Sequence, residues 1–405
     1  MTVPRIGLVA TIVMGAMLAS APVQVRAADD EIVMGFAVAQ SGGMEAYDGD
    51  ATKMAALWID QTNAKGGLLG KKLRAVYADT KSDRVEGTRA GQEMVQQGAK
   101  IVFATADYDY GAPAALQAQK AGVISVFLGA SDPKAGVVGV GPYSFTAEKA
   151  GQLEGATVAD WGYQKKGYRT AYVLLDDAIE YDKSVCAGFD WQFEKEGGKI
   201  VGRDTFKNAD PSIGSQVTRL SNAIRDSKVD TVMLCTYQPG GASAVRQMRS
   251  AGIKLPILNG SSMDGTYWIS AVPGLDEFYV AVQALATTAD PRPAVAQLTK
   301  DYTAKYGKPP TTQYAYPIYA WLQLWAKAVT QANTTDAKPV VAIMEKFHDE
   351  PTVLGPRSFT PKLHIQTSIP LTITDTANGK QAVVEEWRIK DEIPPAVLYR
   401  LKKPS

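Results

Sequence analysis

The stretch IVMGFAV at residues 32–38 is a continuous apolar run, and the glycine-rich segment AQSGGMEAYDGDA follows it at residues 39–51. A helix-like pattern then ends at Gly66-Gly67, where glycine readily takes up left-handed C-cap geometry, and a second strand pattern, LRAVYAD, ends at Asp79. Strand, helix and strand in this order predict one crossover of a parallel sheet. Ligands bind at the carboxyl ends of such strands, so we predict that segment 39–51 lies over a cleft.

The alternation of strand and helix patterns continues along most of the chain. Apolar strand patterns recur at 100–105 and 123–127, and a second, similar series begins after residue 146. Apolar strands separated by helices predict an α/β fold with two similar lobes, each built on a doubly wound parallel sheet. The last third is less regular, with helical patterns at 293–306 and 317–330 and a hairpin signal at Asn378-Gly379.

The N-terminus has the pattern of a secretory signal peptide over residues 1–27. Arg5 precedes an apolar run of about fifteen residues, and Val25-Arg26-Ala27 resembles a cleavage site. The run is too short to span a membrane. Removing residues 1–27 takes away two arginines and no acid, so the net charge changes from +1 to −1. We therefore predict an exported chain whose mature part inserts in no membrane and binds no nucleic acid.

Two cysteines, Cys186 and Cys235, lie in the exported part of the chain. An oxidising compartment permits a disulfide between them. Cys186 falls in a helical pattern and Cys235 at the end of a strand pattern, and their distance does not follow from the sequence. A disulfide and two buried thiols therefore both stay open.

Catalytic motifs are missing from the sequence. It contains two histidines, both away from the predicted strand ends, and no nucleophile elbow, H-E-x-x-H or Walker loop. No cluster has the spacing of metal ligands. We predict a binding protein that has no enzymatic activity and uses neither a metal nor a cofactor.

The loops after the predicted strands share an aromatic and polar character. Tyrosine combines a flat apolar face with a polar tip, which suits a small amphipathic ligand, although any single tyrosine is as well explained by ordinary packing. The candidate ligand-binding residues from these loops are Ser41, Tyr47, Asp107, Tyr108, Ala130, Ser131, Tyr181 and Tyr237.

The loop Gly129-Ala130-Ser131-Asp132-Pro133 offers a specific chemistry. A turn that follows a strand presents backbone N–H groups, and Ser131 adds a hydroxyl donor, so this loop is suited to holding a carboxylate. The alternative is that Ser131 or Asp132 simply caps the next turn.

The residues 41–79, SGGMEAYDGDATKMAALWIDQTNAKGGLLGKKLRAVYAD, resemble the opening of the leucine/isoleucine/valine-binding protein family, the type I periplasmic solute-binding proteins of ABC importers. A weaker resemblance extends to about Pro356. It implies two lobes joined by a three-segment hinge, with crossings near residues 146, 283 and 352. The N-terminal lobe would comprise 28–146 and 284–351, and the C-terminal lobe 147–283 and 352–405. The family's own disulfide is not expected, because Ser82 and Asp107 occupy its cysteine positions.

The resemblance also implies roles for individual residues. The family motif matching residues 129–133 binds the ligand carboxylate, which makes Ser131 the strongest candidate. Tyr108 replaces a serine that donates to this carboxylate. Ser261 stands where the family's amino-acid binders place the glutamate that pairs with the ligand ammonium, although Asp264, Asp107 or Glu180 offers a carboxylate from elsewhere.

These departures shape the functional prediction. We predict an extracytoplasmic, monomeric binding protein that captures a small solute and delivers it to an ABC importer permease. Its ligand is an amino acid or a related carboxylate, and an aromatic or otherwise planar acid should bind better than leucine or valine. The alternatives are a neutral amide as ligand and a ligand-sensing receptor domain. An exported hydrolase is rejected because the sequence has no nucleophile elbow.

Overall fold

A computed structural model describes residues 1–4, 31–377 and 379–401. The predicted signal peptide, apart from its first four residues, lies outside the described residues, as does Asn378 of the predicted hairpin. No helix among the described residues is both long and apolar enough to cross a bilayer.

The first lobe is built on a five-stranded parallel sheet with the order β2-β1-β3-β4-β5. Its strands are β1 (Glu31–Val38), β2 (Lys72–Asp79), β3 (Ile101–Ala104), β4 (Ile124–Phe127) and β5 (Ser144–Thr146). The helices between them are α1 (Glu45–Ala64), α2 (Arg84–Gln96) and α3 (Tyr108–Lys120). The central strands β3 and β4 of this sheet are buried on both faces, as expected for a doubly wound sheet.

The second lobe is built on a seven-stranded sheet with the order β12-β11-β10-β9-β8-β6-β7. Its strands are β6 (Thr170–Asp176), β7 (Lys199–Phe206), β8 (Thr231–Cys235), β9 (Ile257–Asn259), β10 (Phe278–Val282), β11 (Leu371–Ala377) and β12 (Lys380–Trp387). The helices that precede β10 are α4 (Gly151–Gln164), α5 (Glu180–Lys195), α6 (Gly214–Asp226) and α7 (Gly240–Ser250). The sheet is parallel from β7 to β10, whereas the hairpin of β11 and β12 adds two antiparallel strands.

The chain returns to the first lobe between β10 and β11. Helices α8 (Pro293–Tyr306), α9 (Pro317–Ala332) and α10 (Ala337–Met344) lie in this return, and α8 and α9 pack on α1. Phe359 still packs edge-on against Phe145 of the first lobe, with ring centroids 5.3 Å apart. We keep the predicted crossings near residues 146 and 283 as a proposal, and we propose that the third crossing lies after Phe359.

A disulfide joins Cys186 of α5 to Cys235 at the end of β8. The sequence left this bond open. It connects a helix that borders the cleft to the sheet of the same lobe.

Candidate functional site

A cleft lies between the lobes, at the carboxyl ends of the strands. Both lobes contribute to its wall. The lining residues are Met44, Tyr47, Ala106, Asp107, Gly129, Ser131, Ile179, Tyr181, Tyr237, Ser262 and Tyr314. Five of them, Tyr47, Asp107, Ser131, Tyr181 and Tyr237, are among the candidates that the sequence analysis named.

Tyr47 joins the two lobes across the cleft. It lies in the first turn of α1, and its hydroxyl donates to the Ser262 carbonyl (3.3 Å) and accepts from the Gln238 N–H (3.0 Å) of the second lobe. Its ring meets the edge of Tyr314 at a centroid distance of 5.3 Å. The lobes are therefore closed on each other in this structure.

Tyr181 forms the opposite wall of the cleft. It lies in the first turn of α5, and its hydroxyl donates to Glu154 Oε2 (2.8 Å) and accepts from the Ser262 N–H (3.1 Å). The hydroxyl is thus fully engaged by the protein, and burial raises the pKa of Tyr181. The ring is left to contact a ligand through its apolar surface.

The sequence left open whether Ser131 and Asp132 cap the next turn or bind a ligand, and in the structure each residue is suited to one of these roles. Asp132 caps the following 3-10 turn, since its Oδ1 accepts from the Lys134 N–H (2.8 Å). The Ser131 hydroxyl is buried, lines the cleft and has no hydrogen-bond partner among the described residues. A buried polar group without a partner is costly, so this hydroxyl is available to a ligand.

Asp107 is an acidic residue in the cleft wall. It caps α3, where its Oδ1 accepts from the Asp109 N–H (2.8 Å). Burial, together with the negative charges of Asp109 and Asp132, raises the pKa of Asp107 to about 8. At neutral pH the carboxyl is therefore largely protonated, and it can donate a hydrogen bond to an anion.

Asp48 holds the cleft loops of the first lobe together. Its buried carboxylate accepts from the Ala39 N–H and from the Ala106 N–H, both at 2.6 Å. These amides follow β1 and β3, two neighbouring strands. Burial raises the pKa of Asp48 to about 7, while the two hydrogen bonds oppose that rise.

Two of the predicted residues lie on the surface side of the cleft loops. Ser41 is exposed and donates to Asp79 Oδ2 (2.7 Å). Tyr108 was expected in a loop, but the Asp107 cap starts α3 at Tyr108, whose ring packs against Phe127 at a centroid distance of 6.5 Å. Neither residue is part of the cleft lining.

Three more predicted residues are buried behind the lining. The Ala130 carbonyl accepts from Thr146 Oγ1 (2.5 Å). Asp264 accepts from the Gln313 N–H and from Gln381 Nε2, both at 2.6 Å. Ser261 contacts Lys149, as described next. These residues support the wall of the cleft from behind.

A buried charged cluster lies in the hinge behind Ser261. Lys149 Nζ pairs with Glu148 Oε2 (2.9 Å) and Glu154 Oε1 (3.0 Å), and it donates to Ser261 Oγ (2.9 Å). The side chains of all three charged residues are fully buried. Burial lowers the pKa of Lys149, but the two carboxylates outweigh it and raise that pKa above its usual value. The Lys149 ammonium group of the protein itself is thus already paired with the carboxylates of Glu148 and Glu154 behind the cleft.

The sequence analysis missed several lining residues for physical reasons. Tyr314 lies in a 3-10 turn within the irregular last third of the chain, where no strand-end pattern marks it. Gly129 has to be glycine, because a Cβ there would lie 2.7 Å from Tyr314 Cδ1. Met44 and Ile179 immediately precede α1 and α5, so a search for apolar residues before the helices would have found them. Ala106 and Ser262 carry no such signal.

No group of three or more His, Cys, Asp or Glu side chains in the part of the chain that the structure describes could hold a metal ion.

Residues 31–380 match the family model described as periplasmic binding protein. The chain belongs to the periplasmic binding protein family. This family consists of substrate-binding proteins, and the two lobes with a cleft between them are its type I fold.

Individual relatives agree with this assignment. The chain is 25% identical over 351 residues to the Leu/Ile/Val-binding protein BraC3 of Rhizobium johnstonii, covering 86% of this chain and 91% of that protein. It is similar to the branched-chain amino acid transporter substrate-binding protein LivJ of Streptococcus pneumoniae in complex with isoleucine (25% identity, TM-score 0.73, 88% and 99% of the two chains). A solute-binding protein of an ABC transporter from Rhodopseudomonas palustris BisB5, in complex with 3,4-dihydroxybenzoic acid, has the same fold (19% identity, TM-score 0.74, 91% and 99%).

Proposed function

We propose that this chain is the solute-binding protein of an ABC importer and that it holds a small planar carboxylate between its lobes. The observation that carries the ligand class is the buried, unpartnered hydroxyl of Ser131 in a tyrosine-lined cleft. An anionic oxygen accepting from this hydroxyl would satisfy it, and a hydrogen bond to a charged group is stronger than one to a neutral group.

The composition of the cleft walls supports a planar ligand. Tyr47, Tyr181 and Tyr314 present ring surfaces, and offset or edge contacts with a flat ligand contribute about 0.5–1.5 kcal/mol each beyond burial. A ligand with one aromatic ring and one carboxylate would use both the tyrosine rings and the Ser131 hydroxyl.

The charges around the cleft support a ligand without an ammonium group. Glu154 is the carboxylate that approaches Ser261, and it is already paired with Lys149. A ligand ammonium would find no free carboxylate there, and an unpaired buried charge is costly.

An α-amino acid is the second candidate, and Asp107 favours it. Of the three acids that the sequence analysis named as substitutes, Asp107 alone lines the cleft. Asp264 bonds to Gln313 and Gln381, and Glu180 pairs with Lys134 and Lys183. If Asp107 ionised on binding, it could pair with an ammonium.

The remaining parts of the proposal concern location and partners. The signal-peptide pattern supports export to the periplasm with cleavage after about Ala27, and the family supports a permease as partner. We also propose that the chain acts as a monomer and has no enzymatic activity. A receptor domain using the same fold would bind ligand but would not support uptake by a permease, and turnover of an ester or amide by purified protein would contradict the proposal.

A ligand panel tests the proposal. Benzoate, 3,4-dihydroxybenzoate, isoleucine and the neutral benzamide are screened by thermal shift, and every compound that stabilises the protein is then titrated by calorimetry. We expect at least one of the two aromatic acids to bind more tightly than isoleucine and benzamide. Micromolar or tighter binding of isoleucine that neither acid displaces would contradict the proposed ligand class.

A further inference from the structure

The C-terminal segment, residues 388–401, lies beyond the part of the chain that matches the family model, which ends at residue 380. The segment is held on the second lobe. Ile389, Ile393 and Leu398 are buried in the core, and Gln152 of α4 donates to the Leu398 carbonyl (2.7 Å). This anchorage fixes the position of Arg400.

Arg400 connects this segment to both lobes. Its guanidinium pairs with Asp132 Oδ2 of the first lobe (2.7 Å), and on the second lobe it contacts Glu180 Oε2 and Ser184 Oγ of α5. The Asp132 side chain is 1% exposed, so its charge is essentially removed from water. We call Asp132, Glu180, Ser184 and Arg400 the Arg400 network.

The Arg400 network lies directly beside the ligand cleft. Asp132 follows Ser131, the proposed carboxylate donor, and Glu180 precedes Tyr181 of the opposite wall. Within the network, Ser184 Oγ also donates to Asp132 Oδ2 (2.8 Å). Beside the network, Lys134 of the first lobe pairs with Glu180 (2.5 Å). Each of these contacts joins one lobe to the other. Without Arg400, the buried charge of Asp132 would have no cation paired with it, one position from the proposed carboxylate donor.

We propose that Arg400 is a positioning residue that makes the cleft selective for anions and holds the lobes closed. It acts through Asp132, whose negative charge it neutralises in the closed form, and through Glu180, which it ties to the first lobe. The inference rests on the proposed function. It adds a specificity determinant contributed by a segment outside the family match.

Paired ligands of equal shape test the selectivity. Benzoate and benzamide are titrated against the wild type, Arg400→Ala, Arg400→Lys and the control Arg388→Ala, an exposed arginine of the same segment. Removing one partner of a buried charge pair is strongly unfavourable, so we expect Arg400→Ala to weaken benzoate binding by roughly tenfold or more and benzamide binding by less than about twofold. Arg400→Lys keeps the positive charge and should lose less benzoate affinity than Arg400→Ala. Arg388→Ala should bind both ligands as tightly as the wild type does.

A rescue variant separates charge from folding. Asp132→Asn combined with Arg400→Ala removes both charges, and we expect it to regain most of the benzoate affinity that Arg400→Ala loses. If the role of Arg400 were purely structural, Arg400→Ala would weaken the binding of benzoate and benzamide alike, and adding Asp132→Asn would not restore the benzoate affinity. Equal benzoate affinity of Arg400→Ala and the wild type would overturn the selectivity.

The ligand-free protein provides a test that needs no bound compound. If the wild type bound neither benzoate nor benzamide, the proposed function would fail, but small-angle scattering would still decide the closing role of Arg400. We expect Arg400→Ala to show a larger radius of gyration than Arg388→Ala, because the contacts of Arg400 that join the two lobes are lost. Identical radii would overturn this role.

Discussion

Two adjacent side chains, Ser131 and Asp132, show how one short loop combines structure and recognition. Asp132 caps the turn and pairs with Arg400, so its carboxylate is fully occupied. Ser131 has no structural partner and faces the cleft. The sequence predicted that this loop binds a carboxylate. It did not show whether Ser131 or Asp132 caps the following turn, because the two residues are adjacent and the cap depends on where the turn begins.

Replacing Ser131 tests its role as donor. We expect Ser131→Ala to weaken the binding of a carboxylate ligand by about 1–3 kcal/mol, the usual cost of losing a hydrogen bond to a charged group. Titration calorimetry measures this loss. Ser41→Ala is the matched control, since Ser41 bonds to Asp79 outside the cleft and should leave the affinity unchanged. Unchanged affinity of Ser131→Ala, with the fold intact, would remove Ser131 from the ligand site.

The pH dependence of binding distinguishes the two candidate ligand classes through Asp107. Its pKa is raised to about 8, so the carboxyl is mostly protonated at pH 7 and ionises as the pH rises through 8. A carboxylate ligand is repelled by the ionised form, so we expect its affinity to be nearly constant between pH 6 and 7 and to fall as the pH rises through about 8. An amino acid paired with Asp107 would instead bind more tightly over the same range.

Calorimetry with benzoate and isoleucine between pH 6 and 9 measures the direction of this change. Asp107→Asn removes the titrating group and should flatten the profile of either ligand. A fall in benzoate affinity that persists in Asp107→Asn would show that another group is responsible.

At the scale of the elements, the N-termini of α1 and α5 carry two of the four tyrosines that line the cleft. The sequence placed Tyr47 and Tyr181 in loops, whereas the structure places each in the first helical turn. The difference is small in sequence but fixes the direction of the side chains, because the helix holds them over the strand ends. Apolar strands could be predicted from composition alone, and helix starts could not, since α1 and α5 begin without a side-chain cap.

The buried hinge cluster had no signal in the sequence. The sequence predicts Glu148 and Lys149 as an ordinary polar pair at the start of a helix, and nothing local indicates that both are fully buried. Their burial follows from the hinge, where separate chain segments meet: Gln283 and Gln313 both donate to Glu148 (2.6 and 2.9 Å). Such contacts join residues more than 100 positions apart, which local patterns do not encode.

Replacing Lys149 tests the energetic role of this cluster. Lys149→Met leaves the carboxylates of Glu148 and Glu154 buried without a cation, so we expect a loss of about 3–5 kcal/mol in the free energy of unfolding. Chemical denaturation measures this loss. Lys120→Met, an exposed lysine at the end of α3, is the control and should stay within about 0.5 kcal/mol of the wild type. Equal midpoints for both variants would mean that the cluster contributes nothing to stability.

At the scale of the whole molecule, the two-lobe architecture could be predicted and the details of the hinge could not. Repeated strand and helix patterns and the Asn378-Gly379 hairpin signal were enough to predict two parallel sheets and a late hairpin, and the hairpin strands β11 and β12 are confirmed. That these strands extend the second sheet in antiparallel fashion depends on long-range pairing with β10. The Arg400 network likewise depends on where the C-terminal segment folds back.

The contacts that close the cleft come from both lobes. A ligand bound between the lobes would add further contacts of the same kind. Tyr47 on the first lobe reaches Ser262 and Gln238 on the second, and Arg400 joins Asp132 to Glu180. A ligand that contacts both walls binds the closed form more tightly than an open one, and this difference in affinity is what shifts a hinge equilibrium.

Small-angle X-ray scattering of the purified protein tests this account most directly. The radius of gyration is measured without ligand and with the tightest-binding compound of the ligand panel, at a concentration that calorimetry shows to be saturating. Capture between closing lobes predicts a smaller radius of gyration in the saturated protein than in the ligand-free protein, and no such change for Ser131→Ala at a concentration that leaves it mostly unbound. A radius of gyration that is the same with and without ligand at verified saturation would contradict capture by closure.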